Sequence, residues 1–211
     1  SYQNIGNLGY FQQPLPFPDT RPANEEGDID LVFRVAERRT GNVNFGASVG
    51  QGTGVGGFLG LDEPNLFGLG KRGRLQWQFG KNINDFDISY TDPSVLGSRV
   101  SSTFGVHNTR IRYTVADLGR INTQGVSLQV GWPLPRSRYS RVFTSYSIEK
   151  ESYSGAAANL SGTFRCANCL RSTVGVNFMR DTRIDLPFAT AGALYNAGAQ
   201  FTGGPLGGSA T

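Results

Sequence analysis

The sequence has no run of eighteen apolar residues, so no segment of it can cross a bilayer as an apolar helix. That absence excludes helical membrane proteins only. Membrane strands hide their lipid face in alternation, and a mean hydropathy of -0.29 is compatible with such strands. Charge is also scarce, at 17% of residues against a globular norm of about 25%. The net charge is +4, with Lys and Arg scattered rather than gathered into a stripe among aromatics, which argues against nucleic acid as a partner. The one histidine, His107, has no carboxylate or serine constellation beside it in sequence and reads as a loop or strand-end residue. No nucleophile elbow, phosphate-binding glycine loop or metal-ligand spacing occurs. The expectation is a protein without a catalytic site, cofactor or metal.

Cysteine is nearly absent too. Cys166 and Cys169 stand in FRCANCLR, a spacing that marks redox or half-zinc sites when it abuts a helix or meets a second pair. Neither condition holds, which favours a small disulfide stapling a loop in an oxidising compartment. There is no initiator methionine and no leader, and the chain opens mid-element with SYQNIGNLGYF. It reads as a processed chain or as a window of something longer.

Glycine is plentiful, at 29 residues, and alternation is the dominant pattern. In GNVNFGASVG, Val43, Phe45, Ala47 and Val49 fall on one face, and Asn42, Asn44, Gly46 and Ser48 on the other. One such stretch fits a half-buried strand of a soluble sheet, but the pattern recurs down the chain. Leu75, Trp77 and Phe79 oppose Arg74, Gln76 and Gln78; Phe86, Ile88 and Tyr90 oppose Asp87, Ser89 and Thr91. Val100, Phe104 and Val106 form a further apolar face, as do Val126, Leu128, Val130 and Trp132, and Val142, Tyr146 and Ile148. Val174, Val176 and Phe178 come next, and then Ala193, Tyr195, Ala197, Ala199 and Phe201. A short strand to about Leu61 completes a count of about nine strands with no helix between them.

The connections differ in character. Residues 62–73 read as a turn, 108–125 as a long polar excursion, and a second long loop carries the cysteines. Compact Pro-containing turns on one side and longer polar loops on the other are the asymmetry of an outer-membrane barrel. Trp77, Phe79, Tyr90, Trp132 and Phe201 lie near strand ends, as an interfacial girdle requires. Polar-face residues rich in Asn, Ser, Gln and Gly favour a hydrated lumen over the outer face of a soluble sandwich. The expected fold is all-β, an antiparallel transmembrane barrel occupying residues 40–211.

Residues 1–39 have a different texture. Tyr2, Ile5, Leu8 and Tyr10 or Phe11 are spaced as on a helix that Gly9 would end, and a Pro-rich connector, QQPLPFPDTRP, comes after it. Ile29, Leu31, Phe33 and Val35 then alternate as a strand. This reads as the tail of a small α+β domain.

Two stretches carry a family likeness. DEPNLFGLGKRG, with Asn65, Gly68 and Gly70, resembles the turn after the second strand of BamA-type outer-membrane assembly barrels. RDTRIDLPFATAG, with Arg180, Asp181, Arg183, Pro187 and Gly192, resembles a second turn of that family, and AQFTGGPLGG resembles the segment after that turn. IGNLGYF and DIDLVFRVAERRTGNVNFG look like the last helix and strand of a POTRA domain running into the first barrel strand. The resemblance implies about sixteen antiparallel strands, of which this chain carries the first part. It implies an outer-membrane protein with its N-terminal segment in the periplasm, no cofactor, unfolded outer-membrane proteins as substrates, and accessory lipoproteins and the lipid bilayer as partners. Arg180, Asp181 and Arg183 would cap a periplasmic turn as a local ion-pair network.

The physics of such an activity lies in an exposed sheet edge. Unpaired N–H and C=O groups cost several kcal/mol each in a bilayer, so an edge there takes up a partner strand. Asn42, Val43, Asn44, Phe45, Gly46, Ala47, Ser48 and Val49 form a weakly specified strand of that kind, a lateral-gate strand by resemblance. The alternative is that its glycines serve only barrel curvature. Other functions compatible with the pattern are a related secretion transporter or TamA-like factor, an ordinary channel, and a soluble β-sandwich adhesin.

Overall fold

A computed structural model describes residues 5–6, 8–24, 27–50, 54–113, 119–155, 168–184 and 189–203. The chain divides into two compact units, 1–41 and 42–211.

In the first unit, Ile5 and Gly6 are helical, and the Leu8 and Gly9 amides donate to the Ile5 and Gly6 carbonyls at 3.3 and 3.2 Å. Gly9 has a φ of 71°, a left-handed residue where this turn of helix stops. Tyr2, the start of the expected helix, lies outside the described residues. Strand β1 (Asp19–Pro22) pairs antiparallel with β2 (Ile29–Val32). The end of the Pro-rich connector is therefore a strand, with Pro22 as its last residue, where a missing N–H costs the ladder little. β2 stops at Val32, short of the alternation that runs to Val35; beyond it Glu37 makes a single antiparallel bridge to Phe11.

The second unit is one antiparallel sheet of nine strands in strict sequence order. Its strands are β3 (Asn42–Gly50), β4 (Gly54–Leu66), β5 (Lys71–Gly80), β6 (Asn84–Asp92), β7 (Ser101–Tyr113), β8 (Gly119–Pro133), β9 (Ser140–Ser154), β10 (Asn168–Asp181) and β11 (Leu194–Thr202). Each strand pairs with the next, so the alternation read along the chain becomes two continuous faces across it. Phe45 stands opposite Leu59, Leu59 opposite Trp77, and Trp77 opposite Phe86. Farther on, Val106 meets Val126, and Val126 meets Ile148. All these side chains share one apolar face.

That face has no covering layer among the described residues. Phe45 is 81% exposed and Val49 83%, and no side chain of the described residues is fully buried. A soluble sandwich would bury this face under a second sheet. A continuous apolar face of this extent instead marks a surface built for an apolar environment.

Two readings of the connections are corrected. Residues 62–73 are mostly strand: the turn is Phe67–Gly70, and Pro64 sits at a bulge between Glu63 and Leu66, where a missing N–H is tolerated. The supposed excursion 108–125 is also strand. The β7–β8 ladder runs from Ser101↔Gly131 to Tyr113↔Gly119 without a break, leaving 114–118 as the connection. Of the connections at that end of the sheet, only 155–167 is long.

Candidate strand-addition edge

β3 is the first edge of the nine-stranded sheet, and its sequence NVNFGASVG contains no charged residue. It pairs with β4 along its whole length, from Asn42↔Asp62 to Gly50↔Gly54. On its other side no strand lies opposite it among the described residues, so alternate backbone groups face outward unpaired. The eight residues expected to form the pairing strand, Asn42 to Val49, are thus brought together on one edge. Val43, Phe45, Ala47 and Val49 share the apolar face, and Asn42, Asn44, Gly46 and Ser48 the polar face.

β3 is held to β4 by an unbroken ladder, with Val43 opposite Leu61, Phe45 opposite Leu59 and Val49 opposite Val55 on the apolar face. Phe58 of β4, opposite Gly46, lays its ring over the glycine, where a Cβ would lie 2.5 Å from the ring edge. On the other face Phe79 of β5 covers Gly57, whose Cβ would lie 2.9 Å from the ring. Gly56 approaches the Phe79 carbonyl so closely that a Cβ would stand 2.3 Å from the oxygen. On the polar face of β3 the Phe58 ring over Gly46 takes the place of an interlocked pair, and Phe79 over Gly57 does the same between β4 and β5. Such contacts tolerate sliding far better than a branched pair does. Phe58 was not among the residues expected to matter, and Phe79 was expected only as an apolar-face and girdle aromatic; the signal was their register, which places each opposite a glycine.

The expected turn residues lie at the other end of β4 and at the exit of β10. The Asn65 side-chain oxygen accepts from the Gly70 amide at 2.7 Å, and the Asn65 carbonyl from the Gly68 amide at 3.0 Å. Gly68 and Gly70 both have positive φ, 72° and 65°, which explains glycine at those positions. At the second turn, Arg183 clasps Asp181 with two hydrogen bonds of 2.9 and 2.8 Å. The Asp181 carboxylate raises the Arg183 guanidinium pKa above its ordinary value, so Arg183 stays charged. Arg180 is exposed on the apolar-face side and takes no part in this clasp. Thr182, not singled out in the sequence, is the pin: its hydroxyl and amide both meet the Ala193 carbonyl at 3.0 Å. Gly192 has a φ of 89°, and a Cβ there would stand 2.1 Å from the Thr182 carbonyl oxygen. Pro187 and Cys166 lie outside the described residues. Cys169, 5% exposed and disulfide-bonded, is in β10.

The aromatics expected at strand ends all occupy the apolar face. Tyr90 and Trp132 lie toward the end with the turns, and Trp77, Phe79 and Phe201 toward the other. The Trp77 indole nitrogen donates to Asn84 Oδ1 at 3.1 Å.

On the polar face the structure assembles a cluster that sequence spacing concealed. His107 is mid-strand in β7, contrary to the loop or strand-end reading, and it has carboxylates beside it. Its direct partners across the ladders are Asp87 and Gly125. Gly125 leaves a gap over which His107 Nε2 approaches Glu149 to 3.7 Å. Arg171 of β10 bridges Glu149 and Glu151, the latter at 3.2 Å, and Tyr153 donates to Glu151 at 3.2 Å. These residues come from five strands, β6 to β10, over more than eighty positions, so nothing in local sequence joins them. Among the described residues no group of His, Cys, Asp and Glu is placed to hold a metal.

The comparisons with known proteins agree with this geometry. The model of the Omp85 superfamily domain matches residues 65–211. The chain is 32% identical to the outer membrane protein assembly factor BamA of Nitratidesulfovibrio vulgaris, over 99% of this chain and 26% of that protein. It is 30% identical to outer envelope protein 80, chloroplastic, of Arabidopsis thaliana, over 58% of this chain and 18% of that protein. The fold is similar to a crystal structure of BamA from Haemophilus ducreyi lacking POTRA domains 1–3. That match has a TM-score of 0.64 at 17% identity, covering 95% of this chain and 41% of the other. The chain thus spans about a quarter or less of the curated relatives named here.

Proposed function

Because the chain belongs to the Omp85 superfamily, with its nine-stranded sheet as part of the family's β-barrel, we propose that it serves an outer-membrane protein assembly factor of the BamA kind. In this reading the sheet spans the outer membrane, and unit 1–41 is the end of a POTRA domain in the periplasm. The turns at 67–70, 93–100, 134–139 and 182–193 face the periplasm as well. Unfolded outer-membrane proteins are the substrates, and accessory lipoproteins of an assembly complex are partners. The family is one of non-enzymatic factors, and the work asked of this part is strand pairing.

The observation that carries the proposal is β3: an uncharged edge strand at the first edge of the sheet, paired on one side only among the described residues, with its apolar face uncovered. In a bilayer the outward-facing backbone groups of β3 have no water to satisfy them, so an incoming strand is favoured there whatever its side chains. Pairing through the backbone explains how one edge can accept many sequences. The apolar residues of β3 keep the new strand's lipid face in register with the sheet, because the side-chain period is two.

The test is site-specific crosslinking from Asn44 and Ser48 during assembly of an outer-membrane substrate. Adducts to the substrate's last strand are expected from these polar-face positions and not from Ser147, mid-strand in β9. No adduct from either position would overturn the gate.

A further inference from the structure

β7 to β10 are 13, 15, 15 and 14 residues long, and their outer ends pass beyond the apolar belt. Register fixes what the apolar-face side presents there. The last apolar row is Ile88, Val106, Val126 and Ile148. The next row is Asn108, Gln124 and Lys150, flanked by Phe86 at one end and Leu170 at the other. One row higher stands Arg110, opposite Asn122, and above it Arg120.

Every described charge on this side of the extension is therefore basic. Arg110, Arg120 and Lys150 are all exposed, and no carboxylate of the described residues pairs with them. The acids at this end of the strands, Asp85, Asp87, Glu149 and Glu151, all project from the opposite face. Arg110 meets Asp85 only through its backbone amide, at 2.7 Å. The other end of the same face has no such bias, since Lys71 pairs with Asp92 at 3.2 Å.

A groove of about 370 Å³ lies at the boundary, lined by Phe86, Val106, Val126, Ile148 and Leu170, with Asn108 and Lys150 at its polar side. Asn108 is 5% exposed, and its Oδ1 is buried with no hydrogen-bond partner among the described residues. That leaves an acceptor waiting for a hydroxyl beside a set of cations and an apolar slot.

We propose that this outer row is a binding site for a phosphorylated, hydroxyl-bearing membrane lipid. Its acyl chain lies in the groove, its phosphate faces Lys150, Arg110 and Arg120, and a headgroup hydroxyl donates to Asn108. The inference rests on the reading of the sheet as membrane-spanning. Basic residues just beyond an apolar belt sit at headgroup depth, where each adds roughly fivefold to anionic-lipid binding. Phosphatidylglycerol has the required chemistry; phosphatidylcholine lacks both the net charge and the hydroxyls.

The experiment reconstitutes the full chain into phosphatidylcholine vesicles carrying a trace of spin-labelled phosphatidylglycerol or spin-labelled phosphatidylcholine. The motionally restricted fraction of each label is then compared for the wild type and an Arg110→Gln, Arg120→Gln, Lys150→Gln variant. The wild type is expected to retain phosphatidylglycerol preferentially, and the triple variant to lose most of that selectivity, about fivefold for each charge removed. Equal selectivity in the two proteins would overturn the site while leaving the membrane reading intact. Competition by inorganic phosphate, at an ionic strength where chloride has no effect, would assign the row to a soluble anion and also overturn it. Failure of the wild-type strands to become protease-protected in vesicles would overturn the membrane reading, and this inference with it.

Discussion

The first hairpin and the β7–β10 region are parts of one sheet built to opposite specifications. β3 is nine residues long and uncharged, and on its polar face its contact with β4 is the Phe58 ring over Gly46 rather than an ion pair. β9 is fifteen residues long, and its Glu149 and Glu151 are tied by Arg171 to the next strand, with His107 reaching in from two strands away. Both regions use glycine opposite a large side chain, but to different ends. Gly125 makes room for a His107–Glu149 contact that spans three strands, whereas Gly46 makes room for a ring that only leans on it. The difference teaches that the sheet concentrates its specific, directional contacts away from the edge where a strand would be added. An edge that must exchange partners is better held by contacts that survive sliding.

The comparison can be broken most severely at Arg171. Arg171→Ala leaves Glu149 and Glu151 without their shared cation, and the pair is only partly exposed. The expected loss is about 2–3 kcal/mol, below the cost of breaking a fully buried pair because solvent screens part of it. Urea unfolding of the reconstituted chain measures it, and β8–β10 should lose protection first. Gly46→Val attacks the other side. It must evict the Phe58 ring, an overpacking that costs roughly 1–3 kcal/mol, with faster amide exchange confined to β3 and β4. Phe58→Ala uncovers Gly46 without a clash and should loosen β3 by about 1 kcal/mol. The same exchange experiment reads it, with β9 as the internal control. Smallest of all is Arg183→Gln in the turn after β10. Solvent screens this surface clasp, so an unfolding midpoint indistinguishable from wild type is expected, and a clear drop in the midpoint would contradict that.

Much of this architecture is legible in the chain because a strand with one wet and one apolar face writes its period into sequence. Val43, Phe45, Ala47 and Val49 announce β3, and the same logic finds all nine strands of the sheet. It fails where the two faces cease to differ. Asn108 to Arg110 and Gly119 to Gln124 lie past the last apolar row, both faces carry mostly polar residues, and alternation vanishes although the ladder continues. Reading them as a loop confused loss of periodicity with loss of structure. Asp19–Pro22 was hidden for a related reason: a four-residue edge strand ending in proline looks like a connector. Asp62 to Leu66 was hidden by Pro64, which a bulge accommodates.

The candidate site divides the same way. The edge residues were legible because they are contiguous, and Gly192 because it falls in a turn motif that resembles the family's. Thr182 and Phe58 act through partners across a hairpin, and His107 through a residue two strands away. Such pairings exist only once the register is known. Cross-strand chemistry of this kind is invisible to local spacing.

The most direct test of the central claim is amide hydrogen exchange of the full chain in a bilayer, comparing residues 42–50 with residues 140–154. A weakly held edge predicts that β3 amides exchange many-fold faster than those of β9, and that protection of β3 rises when an outer-membrane substrate is bound. Equal protection of the two strands, unchanged by substrate, would contradict it and leave the glycines of β3 as fixtures of curvature.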